Sequence, residues 1–136
     1  MPSPTPARLY VTLVGAVLTI AGIAGFFYSA SFGSPGEVGE LLGVFAVNGW
    51  DNVLHLATGL LGLAAAGYAP RRCALALGLF YLVVAVWGLI VGDGGSIAGV
   101  LPVNTADNVL HLLLGLAGLA AGIATEASPG LATKSR

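Results

Sequence analysis

Asp51, Asn52 and His55 recur 56 positions later as Asp107, Asn108 and His111, and each set follows an asparagine, Asn48 or Asn104. Residues four apart on a helix lie on one face, so each Asp and His of a set point the same way. Two carboxylates and two imidazoles suit a divalent transition metal such as zinc, iron or manganese. On that reading Asp51, His55, Asp107 and His111 are the ligands, and Asn52 and Asn108 orient them. Nothing in the spacing selects one metal. A variant of the same site relays protons through the two histidines.

Two other readings stand beside it. His55 and His111 are candidate axial ligands of a haem held between two helices, with Gly59 and Gly115, one turn below, leaving room for the ring. The neighbouring Asp and Asn, however, are polar groups that a haem does not require. The plainer reading is structural. Asn48 and Asn104 are good N-caps, and Asp51 and Asp107 then fall at the third helical position, among free N–H groups and the positive dipole end. This resembles a capping box, although that motif normally uses Glu or Gln. Capping accounts for Asn48, Asp51, Asn104 and Asp107. It leaves Asn52, His55, Asn108 and His111, which on this reading join helices by hydrogen bonds. An enzyme is disfavoured: no Ser or Cys stands beside a His at nucleophile spacing, and no Gly-rich phosphate loop follows a strand.

The elements that position these residues can be read from the repeat itself. Residues 43–65 and 99–121 agree at 16 of 23 aligned positions, which marks an internal duplication. At 100° per residue, Asn48, Asp51, Asn52, His55, Gly59, Gly62 and Ala66 form one stripe, polar at its start and small beyond it. Asn104, Asp107, Asn108, His111, Gly115, Gly118 and Gly122 repeat it. The Gly59/Gly62 and Gly115/Gly118 faces should pack helices closely.

Of the 136 residues 57% are hydrophobic and 8% charged, against a soluble average of roughly 25% charged. Residues 9–28, 49–69, 73–91 and 105–125 are apolar, and each has about the 20 residues a membrane-crossing helix needs. The fold expected is all-α: a four-helix transmembrane bundle built from two tandem two-helix repeats related by a pseudo-two-fold axis along the membrane normal. Its parts are a lead (1–8), a first repeat (9–69), a second repeat (70–125) and a tail (126–136). Arg8, Arg71, Arg72, Lys134 and Arg136 all fall on one side of these spans, so both termini should be cytoplasmic in a multi-pass cell-membrane protein. The two polar stripes should then face each other in the outer half of the bundle.

Smaller features complete the expectation. The first span is too long for a signal-peptide core of roughly 7 to 15 residues, so it should be retained despite the small residues Ser29-Ala30-Ser31. The stretches before the two motifs, residues 41–47 and 97–103, should lie along the outer surface, and Pro102 argues against an unbroken helix there. Tyr81 falls near the membrane middle and needs a partner for its hydroxyl. Cys73 reads as a small packing residue at the inner edge, with acylation as the alternative. The net charge of -1 is uninformative, and no basic stripe points to a nucleic-acid partner. The partners expected are the lipid bilayer and either a second copy or another membrane protein.

The duplicated Asn-x-x-Asp-Asn-x-x-His-Leu-x-x-Gly pattern, in a short four-span chain, resembles a bacterial membrane family catalogued as domain of unknown function 4383. The resemblance covers nearly the whole chain and implies a four-helix integral membrane protein. It brings no activity for Asn52, His55, Asn108 or His111.

Overall fold

The computed structural model describes residues 3–127. Four helices dominate, and a short β-hairpin precedes the second and the fourth. In chain order they are α1 (Pro6–Gly25), β1 (Gly39–Leu41), β2 (Phe45–Val47), α2 (Gly49–Ala65), α3 (Pro70–Val91), β3 (Ser96–Ile97), β4 (Leu101–Pro102) and α4 (Thr105–Ala124). The first helix begins earlier than the apolar run does. Thr5 caps it, accepting from the Arg8 N–H at 3.2 Å, and Pro6 occupies the first turn, where its missing N–H costs nothing. The end of the expected lead is therefore helical, and Ala7 is fully buried, its N–H on Thr125 Oγ1. Lys134 and Arg136, with most of the expected tail, lie outside the described residues.

Three helices, α1, α3 and α4, are long and apolar enough to cross a membrane. The fourth, α2, has 17 residues and stops at Ala65, short of the expected Ala69. Large apolar side chains cover the outside of the bundle; Leu13, Val17, Ile20, Ile90 and Ile123 are all more than half exposed. A soluble surface rarely carries so much contiguous apolar area, whereas a bilayer is a suitable solvent for it.

α1 packs chiefly along α2 and α3 along α4, with lesser contacts joining α1 to α3 and α4 and α2 to α3. Glycines permit the two close pairings. A Cβ on Gly59 would lie 2.6 Å from Thr19 N, and one on Gly115 would lie 2.7 Å from Leu82 N. Gly62 meets Val11 O and Gly118 meets the Gly78 Cα. This differs from the facing stripes expected from the sequence: the glycine halves turn to α1 and α3 instead of to each other, because each stripe is wide enough to serve two neighbours. The core between the pairs is apolar and includes Val11, Leu18, Ala65, Ala74 and Leu77. Tyr10 joins it with its hydroxyl donating to Leu114 O at 2.7 Å, and Cys73 is buried as a packing residue.

The hairpins depart from an all-α fold. In the first, Leu41 pairs with Phe45, and in the second Ile97 pairs with Leu101, the same register in both copies. Leu42 and Gly43 turn the first with φ of 56° and 67°, and Ala98 and Gly99 turn the second with 51° and 75°. Two successive positive φ values are what a tight hairpin turn of favourable twist requires, and Gly takes the second at little cost. Pro102 is accommodated because it stands at the end of a two-residue strand.

Candidate functional site

The hairpin end of the bundle gathers the polar residues. Asn48 caps α2, its Oδ1 accepting from the Asp51 N–H at 3.0 Å, and Asn104 caps α4, accepting from the Asp107 N–H at 2.9 Å. Each asparagine also reaches across to the other hairpin: Asn48 Nδ2 donates to Val100 O at 2.6 Å, and Asn104 Nδ2 donates to Val44 O at 2.8 Å. One side chain thus starts a helix and fixes the neighbouring turn, satisfying end groups that burial would otherwise leave orphaned.

The two aspartates are placed differently. Asp107 Oδ2 accepts from Asn104 N at 3.0 Å, completing a capping box, and from Ala46 N in the first hairpin at 3.1 Å. Asp51 has no such donors. Its Oδ2 is buried without a hydrogen-bond partner and lies 3.4 Å from His55 Nδ1, which is also unpartnered. That separation is long for an N–H···O bond, so the pair is adjacent but unbonded.

His55 and His111 meet across the bundle with ring centroids 6.2 Å apart, and both are buried. His111 stacks on Tyr81 at 5.5 Å, and its Nδ1 is unpartnered too. Tyr81 is fully buried, and its hydroxyl shares a 2.7 Å hydrogen bond with Thr58 Oγ1. A row therefore runs Asp51, His55, His111, Tyr81, Thr58, with side chains from α2, α3 and α4. Asp107, from α4, and Tyr10, from α1, are further titratable groups near the row. Glu37 and Glu40, in the chain before α2, are exposed, and Asp93, before α4, holds Thr105 N at 2.9 Å.

Asn52 and Asn108 hold another place. They lie against α1 and α3, where a Cβ at Gly25 would run into Asn52 Oδ1 and one at Gly88 into Asn108 Oδ1. Asn52 Nδ2 donates to Ser29 O at 2.8 Å, so it ties the end of α1 to α2. They brace helices here and do not orient the histidines. Ser29, Thr58 and Tyr81 join the polar system without belonging to the repeated motif. For Tyr81 the signal was its buried hydroxyl. For Thr58 it was only that the second copy has Leu114 there.

The residues present do not make the ligand shells considered from sequence. Among the described residues no group of three or more His, Cys, Asp or Glu could hold a metal ion. Asp107 Oδ2 is taken up by its two backbone donors, and among the described residues it makes no ion-pair contact with His111. Nor do the glycines leave room for a haem, since the space beside Gly59 and Gly115 is filled by the backbones of Thr19 and Leu82.

A model of one protein family matches residues 8–124, nearly the whole chain, and that family is described as a domain of unknown function, DUF4383. The chain belongs to this family. No curated protein and no solved structure matches it. A membrane-suited helical fold with a buried polar row at one end is thus the framework within which a DUF4383 function has to be sought.

Proposed function

We propose that this DUF4383 protein is a multi-pass membrane protein whose outer half carries a buried proton-exchange centre, with Asp51 and His55 as the exchanging pair and His111 and Tyr81 as its continuation. The observation that carries this reading is the pair of facing, unpartnered atoms, Asp51 Oδ2 and His55 Nδ1, 3.4 Å apart in a buried site. A shared proton would turn that contact into a charge-assisted hydrogen bond of about 2.7–2.9 Å and satisfy both groups at once. Holding ionisable residues inside a membrane is costly, which makes them the first place to look for function.

The reading includes four crossings, with α2 the shortest, both termini cytoplasmic, and two halves related by a pseudo-two-fold axis. The shared order of helix, hairpin and helix, the common hairpin register and the reciprocal asparagine bonds support the two-fold relation. The five basic residues on one side support the orientation. Toward the cytoplasmic end the row meets the apolar core of Val11, Leu18, Ala65 and Leu77, so the centre exchanges protons with the outer side and does not conduct them across.

Infrared difference spectra of the full-length protein in lipid nanodiscs, recorded between acidic and alkaline buffer, test the proposal. A protonated-carboxyl band should appear and should vanish in Asp51→Asn, and His55→Gln should alter it. No such band, or one indifferent to Asp51→Asn, would rule the centre out.

A further inference from the structure

Resting on the proton-exchange reading, we infer that the two carboxylates of the duplicated motif perform different tasks, and that residue pair 46/102 decides which does which. Asp107 is a latch that holds the first hairpin on α4, and Asp51 is the exchangeable carboxylate because the second hairpin has no donor for it.

The argument starts from alignment. Offset by 56 positions, Asp51 matches Asp107, Asn48 matches Asn104 and Ala46 matches Pro102. Ala46 stands opposite Glu40 in its hairpin, and Pro102 stands opposite Ser96, the equivalent place. Ala46 directs its N–H out of the hairpin to Asp107 Oδ2. Proline has no N–H, so the same backbone position in the second hairpin has nothing to give Asp51. The consequence is visible in the carboxylates. Asp107 Oδ2 holds two backbone N–H groups, at 3.0 and 3.1 Å, whereas Asp51 Oδ2 holds none and faces His55.

Two backbone N–H groups on one carboxylate oxygen hold the Asp107 side chain in place. Asp107 is therefore committed to structure. Asp51 is equally buried but is free of those donors, and it lies 3.4 Å from a ring that can itself take or give the proton. The side chains that can respond to a proton at this position are His55 on its own helix, Tyr81 on α3, and Asp107 and His111 on α4.

Two measurements on the full chain in nanodiscs test the division. In thermal unfolding Asp107→Ala should lower the midpoint by several degrees more than Asp51→Ala does, and combining Asp107→Ala with Ala46→Pro should add little, because both remove the same bond. Equal losses for the two aspartates, or additive effects of Asp107→Ala and Ala46→Pro, would overturn the latch. In the infrared spectra Pro102→Ala supplies the missing donor and should shift the frequency of the Asp51 carboxyl band, while Asp107→Ala should leave that band present. A band that Pro102→Ala does not move, or one that belongs to Asp107, would overturn the division and leave proton exchange standing. Complete absence of the band would overturn the Asp51 role together with the proposed function, with the latch still decided by the unfolding data.

Discussion

At the fourth helix, Asn104 and Asp107 close a reciprocal box and take a further bond from the first hairpin; at the second helix, Asn48 makes its half of the box and Asp51 turns to His55 instead. The residues of the motif are the same in both places. What differs is the surroundings, at three aligned or neighbouring points: Ala46 against Pro102, Thr58 against Leu114, and Tyr81 in α3, which bonds Thr58 of the second helix but only stacks on His111 of the fourth. Duplication copies side chains, but a buried polar group is defined by its partners, and at Asp107 one of those partners comes from the other copy. Two equivalent motifs can thus end as one latch and one open site.

The comparison breaks most severely if the close pairing of α3 with α4 is disturbed. Gly115→Leu would drive a side chain into the backbone at Leu82 N and Gly78 O, atoms that cannot move without the helix. A loss of about 3 kcal/mol or more is expected, enough to abolish a monodisperse folded species on size exclusion in detergent. If the variant behaved like the parent, the α3–α4 contact would have to be looser than described, and the placement of His111 would fall with it.

A good share of this was legible beforehand. Four apolar runs of about 20 residues predict all four helices, and Asn followed three residues later by Asp predicts both caps, because run length and end-group chemistry are local. The meeting of His55 and His111 follows from the repeat. The hairpins were not legible as strands, because two or three residues are too few for an alternating pattern. The engagement of Asp107 was not legible for a non-local reason, since one of its donors is Ala46, 61 residues away. The glycine faces were identified, but their partners were misassigned, because a stripe shows which side is thin and not which helix approaches it.

A milder perturbation sharpens the comparison of the two bracing asparagines. Gly25→Ala and Gly88→Ala place the same methyl against Asn52 and Asn108. Asn52 is held by its bond to Ser29 O, and no such bond from Asn108 is found among the described residues. Overpacking of this kind costs about 1–3 kcal/mol. Gly25→Ala should fall toward the upper end and Gly88→Ala toward the lower, as read from thermal midpoints in one detergent. The reverse order would mean that Asn52 can turn aside, and that Ser29 does not fix the end of α1.

The smallest expected effect tests whether the pair found in only one place, Thr58 with Tyr81, is a real link in the polar row. Its 2.7 Å bond is buried, so removing the threonine hydroxyl strands that of Tyr81 in a dry core, while removing the tyrosine hydroxyl leaves Thr58 with its bond to Leu54 O. Leaving one buried partner unsatisfied costs about 1–3 kcal/mol, whereas removing both at nearly constant shape can be close to neutral. Thr58→Val and Tyr81→Phe should therefore each lower stability, and the double variant should lose less than the two single losses together, with a coupling of about 1 kcal/mol. Thr58 also bonds Leu54 O at 2.8 Å, but that bond exists in all backgrounds that keep the threonine and drops out of the coupling. The same variants bear on the proton centre. Tyr81→Phe keeps the ring that stacks on His111 and removes only the hydroxyl, so the carboxyl band of Asp51 should persist while the coupling disappears. Strict additivity would make Tyr81 a packing residue that happens to lie near Thr58, and would end the row at His111.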